Sequence, residues 1–387
     1  MLKKVVLGLV CGLLLLCPGV CCPGQASAAE IRDLYPDTSD LDQFLDQMDQ
    51  DASQWMDGLS LASIWGQMRS GDMELNPGAL LRKILEVLLK QIFFQMRWFG
   101  QILVIAVVCL IMEQLGGAFE GNGAAKAASV VCLILIMTLS VKGFNESMTG
   151  GRAAINRMGE FMEFLMPVML SLLLAMGHGT TVLLTRPVLI GSLSMMTALI
   201  SHVIFPMIFL GLALGLVDHL SEDHKITKLV QFIRSGVKWG IGLTMTVFVA
   251  VLSIQGGLGS VSDGVLLRTA KYVTGAALPV AGGLFADAVD AVVGTSLVFK
   301  NTLGFFGIIG ILLTAFGPLA GMFAQAVLFR LGGALIQPFG ERLAGNMLDE
   351  MADAMMLIFT ATAAVAVMFF LTLALMLLAA NATIMLR

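Results

Sequence analysis

Apolar residues in this chain come in long blocks, and the polar positions that interrupt the blocks predict its elements. The stretches 99–112, 127–141, 158–176, 188–217, 239–254, 303–328 and 355–380 each read as membrane-seeking helix by length and composition. Segments of helical period with one apolar face lie before and between them. In the first, Leu41, Phe44, Leu45, Met48, Ala52 and Trp55 share a face while Asp42, Asp46 and Asp49 lie opposite. That face fits either a partner surface or a self-packed helical hairpin. In the second, Leu81, Ile84, Leu85, Leu88 and Ile92 oppose Lys83, Glu86, Lys90 and Arg97, which predicts a helix lying along the membrane surface before Trp98 and Phe99. The third, 226–238, sets Ile226, Leu229, Val230, Ile233 and Val237 against Lys228, Arg234 and Lys238. The excess of Lys and Arg in cytoplasmic loops places it at the cytoplasmic surface.

Interruptions set the rest of the topology. Residues 150–157 read as a polar return between two spans, with Glu160 and Glu163 near the start of the next helix, where their charge suits the local dipole. Those two carboxylates are either interfacial anchors or ion-handling groups. The block 188–217 would extend about 45 Å as helix, too long for one upright span, so it must tilt, kink or fold back. Ser201, His202 and Pro206 mark the expected break, where His202 either carries protons or bonds freed backbone. An external N-terminus followed by three spans and this block would put the basic helix outside; a re-entrant double crossing within 188–217 returns it to the inside.

Residues 253–301 differ from every other stretch. Glycines recur, Pro279 interrupts, and Asp263, Arg268, Lys271, Asp287, Asp290 and Lys300 are spread through otherwise apolar sequence. Backbone broken at membrane depth is tolerated where protein buries it or where it lines a watery cavity, so these six charges are candidate path-lining or core groups. From residue 278 a helical period puts Asp287 and Asp290 on one face with Gly283 and Gly294, candidate close-packing glycines. The same period also fits a helix at the membrane surface with both carboxylates in water.

Composition sharpens this into an all-α, polytopic integral membrane protein of six to eight spans, with amphipathic interfacial helices and a Gly-rich broken-helix core. Of 387 residues, 57% are hydrophobic and 13% charged, and the mean hydropathy is +0.89, far from a soluble domain's balance. The net charge of −4 resides largely in the N-terminal acidic segment and argues against nucleic-acid binding. Residues 1–28 read as a secretory signal peptide, with an uncleaved anchor helix as the alternative: Lys3 and Lys4, an apolar run, then Ala26, Ser27 and Ala28 in an A-x-A pattern. Cleavage leaves an extracytoplasmic acidic and amphipathic region at 29–97 and a multi-span domain at 98–387. Four of the six cysteines lie in the leader, and Cys109 and Cys132 sit in apolar spans with no metal-ligand spacing. Phosphate-binding, nucleophile-elbow, zinc-protease and dinucleotide fingerprints are missing from the sequence, so neither a cofactor nor a soluble-type enzyme is expected.

The run SIQGG followed by SDGVLLRTAKYVTGAALPVAGGLFADAVDAVVGTSLVFKN, the stretch GRAAINRMGEFMEFLMPVMLSLLLAMG at 151–177, HKITKLVQFIRSGVKWG at 224–240 and the terminal NATIMLR together resemble the stage III sporulation protein AE family of endospore-forming bacteria. The matches cover most of the chain after about residue 86. The resemblance implies a permease-like or channel-like subunit of the complex that joins mother cell and forespore, in the mother-cell membrane around the forespore (the outer forespore membrane), needed for forespore development after engulfment. It implies other stage III sporulation A-type proteins as partners, ring-forming ones and a separate ATPase among them, and leaves homo-oligomerisation open. Two other readings stand beside it. One is a non-conducting scaffold that acts through Leu41, Phe44, Leu45, Met48 and Trp55. The other is an intramembrane hydrolase using Asp287 and Asp290, which is disfavoured because such enzymes draw their two carboxylates from separate helices.

Overall fold

A computed structural model describes residues 77–118, 123–176, 179–220, 226–277, 282–337 and 342–385; within these, the side chains of 77–85, 112–130, 256–293 and 378–385 chiefly fall outside the description. Helix accounts for nearly all of it. In order they are α1 (Pro77–Ala118), α2 (Gly123–Ala175), α3 (Gly179–Leu199), a π turn (Ile200–Ile204), α4 (Phe205–Leu220), α5 (Thr227–Ala277), α6 (Gly282–Ile336) and α7 (Arg342–Met385). Among the described residues, six segments are long and apolar enough to cross a membrane: Glu86–Cys109, Leu133–Ala175, Pro187–Asp218, Thr227–Gln255, Lys300–Ile336 and Leu343–Leu377. The chain is an all-α, polytopic membrane protein.

Several boundaries differ from those the sequence implied, and in the same direction: helices run on where polar residues were expected to stop them. α1 passes through Arg97 and Trp98 without a break, so the predicted surface helix and first span are one helix. α2 is continuous over 53 residues, so the polar return at 150–157 does not exist. Gly151 is a packing site instead, while nothing lies within 4 Å of a Cβ at Gly150. Gly151 is buried, and a Cβ there would sit 3.0 Å from Met322 Cε and 3.1 Å from Thr362 Oγ1. The basic helix at 226–238 likewise continues into the following span within α5.

The break expected near Ser201, His202 and Pro206 is present as a π turn. Pro206 has no N–H, and its ring crowds the carbonyl four residues back, so the ladder shifts register there. The Phe205 N–H accordingly reaches the Ile200 carbonyl, and the flanking residues keep right-handed helical angles. The chain therefore does not fold back. Pro187–Asp218 is one irregular span, and the re-entrant double crossing is corrected.

Packing fixes how the helices run. α6 meets α7 antiparallel from Lys300 to Gly333: Lys300 reaches Leu377, Gly304 receives Leu377, Gly307 receives Leu373, and Gly333 faces the Gly345 carbonyl at 3.1 Å from its would-be Cβ. α2 is antiparallel to α6, with Phe161 against Gly310, Leu165 at 2.8 Å from a Cβ at Gly307, and Ser147 beside Gln325. α1 runs parallel to α6, with Gln95 beside Gln325 and Phe99 against Gly332. α5 packs on α3, α4 and α7, and α7 touches both groups of helices. Alternation then places the start of α1 and the end of α7 at the same end of the bundle.

α7 can serve as the shared centre because small residues cover it. Ala352, Ala354, Ala361, Ala364 and Ala366 are all buried and admit neighbours closely. Phe144, Phe161, Phe205, Phe248, Phe306 and Phe329 fill the spaces between helices, with Phe161 and Phe306 centred 6.2 Å apart. At 51 to 55 residues, α2, α5 and α6 would each be about 75 to 85 Å long, more than twice a bilayer's apolar thickness of about 30 Å. Parts of all three must project beyond it.

The glycine notches yield a stability prediction. Gly310→Val drives a branched side chain into the buried Phe161 ring and should destabilise by about 1 to 3 kcal/mol, outweighing any gain in helix propensity. Gly191→Ala, where nothing lies within 4 Å, should be neutral or slightly stabilising. Thermal unfolding of the two variants in detergent checks both signs.

Candidate functional site

Two polar constellations are built into the apolar bundle. The first is an ion cluster joining three helices. Arg234 on α5 donates to Glu350 on α7 and lies 3.8 Å from Asp353; Arg330 on α6 reaches Asp353 at 3.0 Å and Asp349 at 3.6 Å. The Arg234–Glu350 pair is the sheltered one, with side chains 19% and 12% exposed, whereas Arg330 and Asp349 are more than half exposed. Gly215 of α4 exists for this pair, since a Cβ there would overlap the Glu350 carboxylate. Next to it, Asp218 at the end of α4 accepts from the Ile226 N–H at 2.6 Å and the Thr227 hydroxyl at 2.7 Å, capping the start of α5. The cluster lies at the end of the bundle opposite the start of α1.

The second runs along α2. Its polar side chains Asn145, Glu146, Thr149, Asn156, Glu160 and Glu163 are all exposed and fall on one stripe at helical spacing. Phe144, Ile155, Met158, Phe161, Met162 and Leu165 on the inner side are buried. The rotation follows from the notches in α6: Phe161 on Gly310 and Leu165 at Gly307 turn Glu160 and Glu163 outward. Both carboxylates lie mid-helix, so the expected placement at a helix N-terminus is corrected. Arg152 sits between the two sides with its guanidinium 5.9 Å from the Phe205 ring centre.

Behind the stripe, polar groups bridge three helices. Ser147 Oγ donates to Gln325 Oε1, and Gln325 Nε2 donates to Gln95 Oε1 at 3.0 Å. Hydroxyls elsewhere in the spans bond their own helix: Thr244 to the Gly240 carbonyl at 2.7 Å and Thr372 to that of Met368 at 2.8 Å. Buried side-chain bridges between helices at this depth hold register rather than perform chemistry.

Of the residues singled out in sequence, Lys300 is fully buried and its Nζ donates to the Leu377 carbonyl at 2.7 Å, tying α6 to the end of α7. Asp263, Arg268 and Lys271 lie on α5, and Gly283, Asp287 and Asp290 on α6, but their side chains are outside the described residues, as is Pro279. Gly294 is exposed with nothing within 4 Å of an added Cβ. Among the described residues, α6 makes close approaches at Gly304, Gly307 and Gly310, which sit opposite large side chains. Leu41, Phe44, Leu45, Met48 and Trp55 fall outside the described residues. His202 is exposed on the π turn. The α2 stripe was missed as a whole because 150–157, which holds Asn156, was read as a return that separated Asn145, Glu146 and Thr149 from Glu160 and Glu163; the spacing of three, four and seven residues was the available signal.

Among the described residues, six segments long and apolar enough to cross a membrane, cross-linked by buried polar bridges and with a charged face on α2, define a polytopic membrane protein. Comparison with known sequences supplies the family. The model of the stage III sporulation protein AE family matches residues 59–380, and the chain belongs to that family. It is 30% identical over 318 residues, covering 82% of this chain and 80% of the relative, to stage III sporulation protein AE of Bacillus subtilis (strain 168). No solved structure matches significantly.

The ion cluster predicts an asymmetry. Glu350→Ala leaves Arg234 sheltered with only the more distant Asp353, and should cost about 3 kcal/mol or more. Asp349→Ala, at an exposed pair, should cost under about 1 kcal/mol. Unfolding in detergent, followed by proteolysis or fluorescence, measures the difference, and the exchanged pair Arg234→Glu with Glu350→Arg should recover part of the larger loss.

Proposed function

We propose that this chain is a non-catalytic membrane subunit of a sporulation complex that works as a permease-like or channel-like component between mother cell and forespore. Family membership supports sporulation and a complex. The observation that carries the transport reading is the exposed, charged α2 stripe alongside apolar spans, because carboxylates at membrane depth usually face a bundle interior or a water-filled path. A protein that only anchored others in the bilayer would have no need to keep Glu146, Glu160 and Glu163 there. Within this reading the site is the outer mother-cell-derived membrane, the partners are ring-forming proteins and a separate ATPase, and the chain itself hydrolyses nothing. Solute flux in vesicles holding the reconstituted complex tests it: flux that disappears when this subunit is omitted supports transport, and equal flux without it supports a scaffold.

We further propose that the acidic N-terminal region is extracytoplasmic. The alternation of helices then carries the basic start of α5 to the cytoplasmic side after three crossings, with no re-entrant hairpin required. A merged α2 resolves the conflict that separate spans created. Single cysteines at Lys228 and Lys238, in a background without other cysteines, should react with an impermeant thiol reagent only after the cytoplasmic face is opened. Reaction in intact cells would reverse the orientation.

Lys300 belongs with the helix-pairing groups in this account. Asp287 and Asp290 are proposed to continue the polar path beyond the packed bundle. Asp287→Asn with Asp290→Asn should leave insertion and complex assembly intact while reducing spore formation at least tenfold, read as heat-resistant colony counts. Normal sporulation by the double amide removes these two residues from the path.

A further inference from the structure

We propose that the notch at Gly321 on α6 is a binding site for a single water molecule, which completes the polar bridge between α1, α2 and α6. Gln91 on α1 is 5% exposed, and its Oε1 has no hydrogen-bond partner among the described residues. Gly321 lies near the middle of the Lys300–Ile336 span. A lone buried acceptor is costly at that depth, and native bundles rarely keep one. Its setting shows what satisfies it. A Cβ at Gly321 would sit 3.9 Å from Gln91 Oε1 and 4.0 Å from Gln95 Nε2, so one acceptor and one donor border the same point. Gln95 Oε1 already accepts from Gln325 Nε2, and Gln325 Oε1 from Ser147. The Gln95 amide therefore turns its N–H side to the notch.

That pairing selects the ligand. A cation on Gln91 Oε1 would be repelled by the Gln95 N–H, and an anion on the Gln95 N–H by the Gln91 carbonyl oxygen; water donates to the one and accepts from the other. Size agrees. Nothing on the facing helices comes closer than 3.9 Å to that Cβ, so the notch has room for a methyl group, and a water molecule is no larger. On α2, the antiparallel register that sets Gly143 on Trp98 and Ser147 level with Gln95 brings Gly150 level with Gln91, and nothing lies within 4 Å of a Cβ there. Two helices thus present no side chain to the same glutamine. The other notches of α6 differ: Gly304, Gly307 and Gly310 are filled by Leu377, Leu165 with Leu373, and Phe161. α6 holds α2 and α7 by dry notches and adds a wet one toward α1. Nothing in this site depends on the transport reading.

The test uses the full chain in lipid bilayers with isotope-labelled glutamine side-chain amides, and Gln91→Met identifies the Gln91 signal by removing it. Gln91 is the reporter because Gln95 is only half-buried. Solid-state NMR transfer of magnetisation from water should reach the Gln91 amide, and Gly321→Ala, whose methyl takes the same place, should reduce that transfer at least fivefold. Gly321→Ser supplies the missing partner from its own hydroxyl and should keep the native Tm in detergent. Gln91→Met leaves the water one partner short and should lower Tm by about 2 °C or more. A Gln91 amide that receives nothing from water in the native chain overturns the site, and so does transfer that survives Gly321→Ala. A raised Tm for Gln91→Met does the same, because removing an unpartnered carbonyl from a dry notch stabilises. If Gly321→Ala does not fold, the native spectrum and the sign of the Gln91→Met shift still decide.

Discussion

The packing of large side chains into glycine notches on α6 is the constraint on which the rest of the bundle depends. Gly304, Gly307 and Gly310 recur on one side of that helix and receive Leu377, Leu373 with Leu165, and Phe161 from its two largest neighbours. In hydrocarbon no hydrophobic force drives helices together, so close van der Waals approach and a few interhelical hydrogen bonds must do so. These notches supply the first. The Ser147–Gln325–Gln95 bridge and the Lys300 bond to Leu377 supply the second. Both act in the same register, which is why one arrangement of α1, α2, α6 and α7 is selected.

That register has a functional consequence. Because Phe161 and Leu165 must face α6, the residues half a turn away must face outward, and these are Asn156, Glu160 and Glu163. Structural packing and the polar face are two sides of one helix. At the opposite end of the bundle the Arg234–Glu350 pair does similar work for α5 and α7, with Gly215 making room for it. Burying such a pair is justified less by net stability than by the orientation it imposes. A shift of either helix by one residue would strand a charge.

Much of this architecture was legible in the sequence, and the failures share a cause. Helical class, membrane insertion, the irregularity near Pro206 and the family were all readable from apolar block length, proline chemistry and motif order. Helix continuity was not. Gly150, Gly151 and Arg152 look like a turn when read locally, yet Gly151 is a tertiary contact with Met322 and Thr362. The charges at Arg97 and Lys238 look like span boundaries, yet they sit within longer helices. Partnerships across 116 residues, such as Arg234 with Glu350, leave no local trace at all. Polar residues were taken as evidence for a helix end, whereas on α2 they lie exposed along a helix side.

The central claim is therefore about which side of α2 meets water, and a spin label moved one residue at a time from 142 to 167 in vesicles containing the assembled complex measures it most directly. Collision with a water-soluble relaxing agent should rise and fall with the helical period, with maxima at Asn145, Thr149, Asn156, Glu160 and Glu163 and minima at Phe161 and Leu165. Accessibility that peaks only at the two ends of the segment, with a lipid-soluble agent dominating between them, would contradict the account.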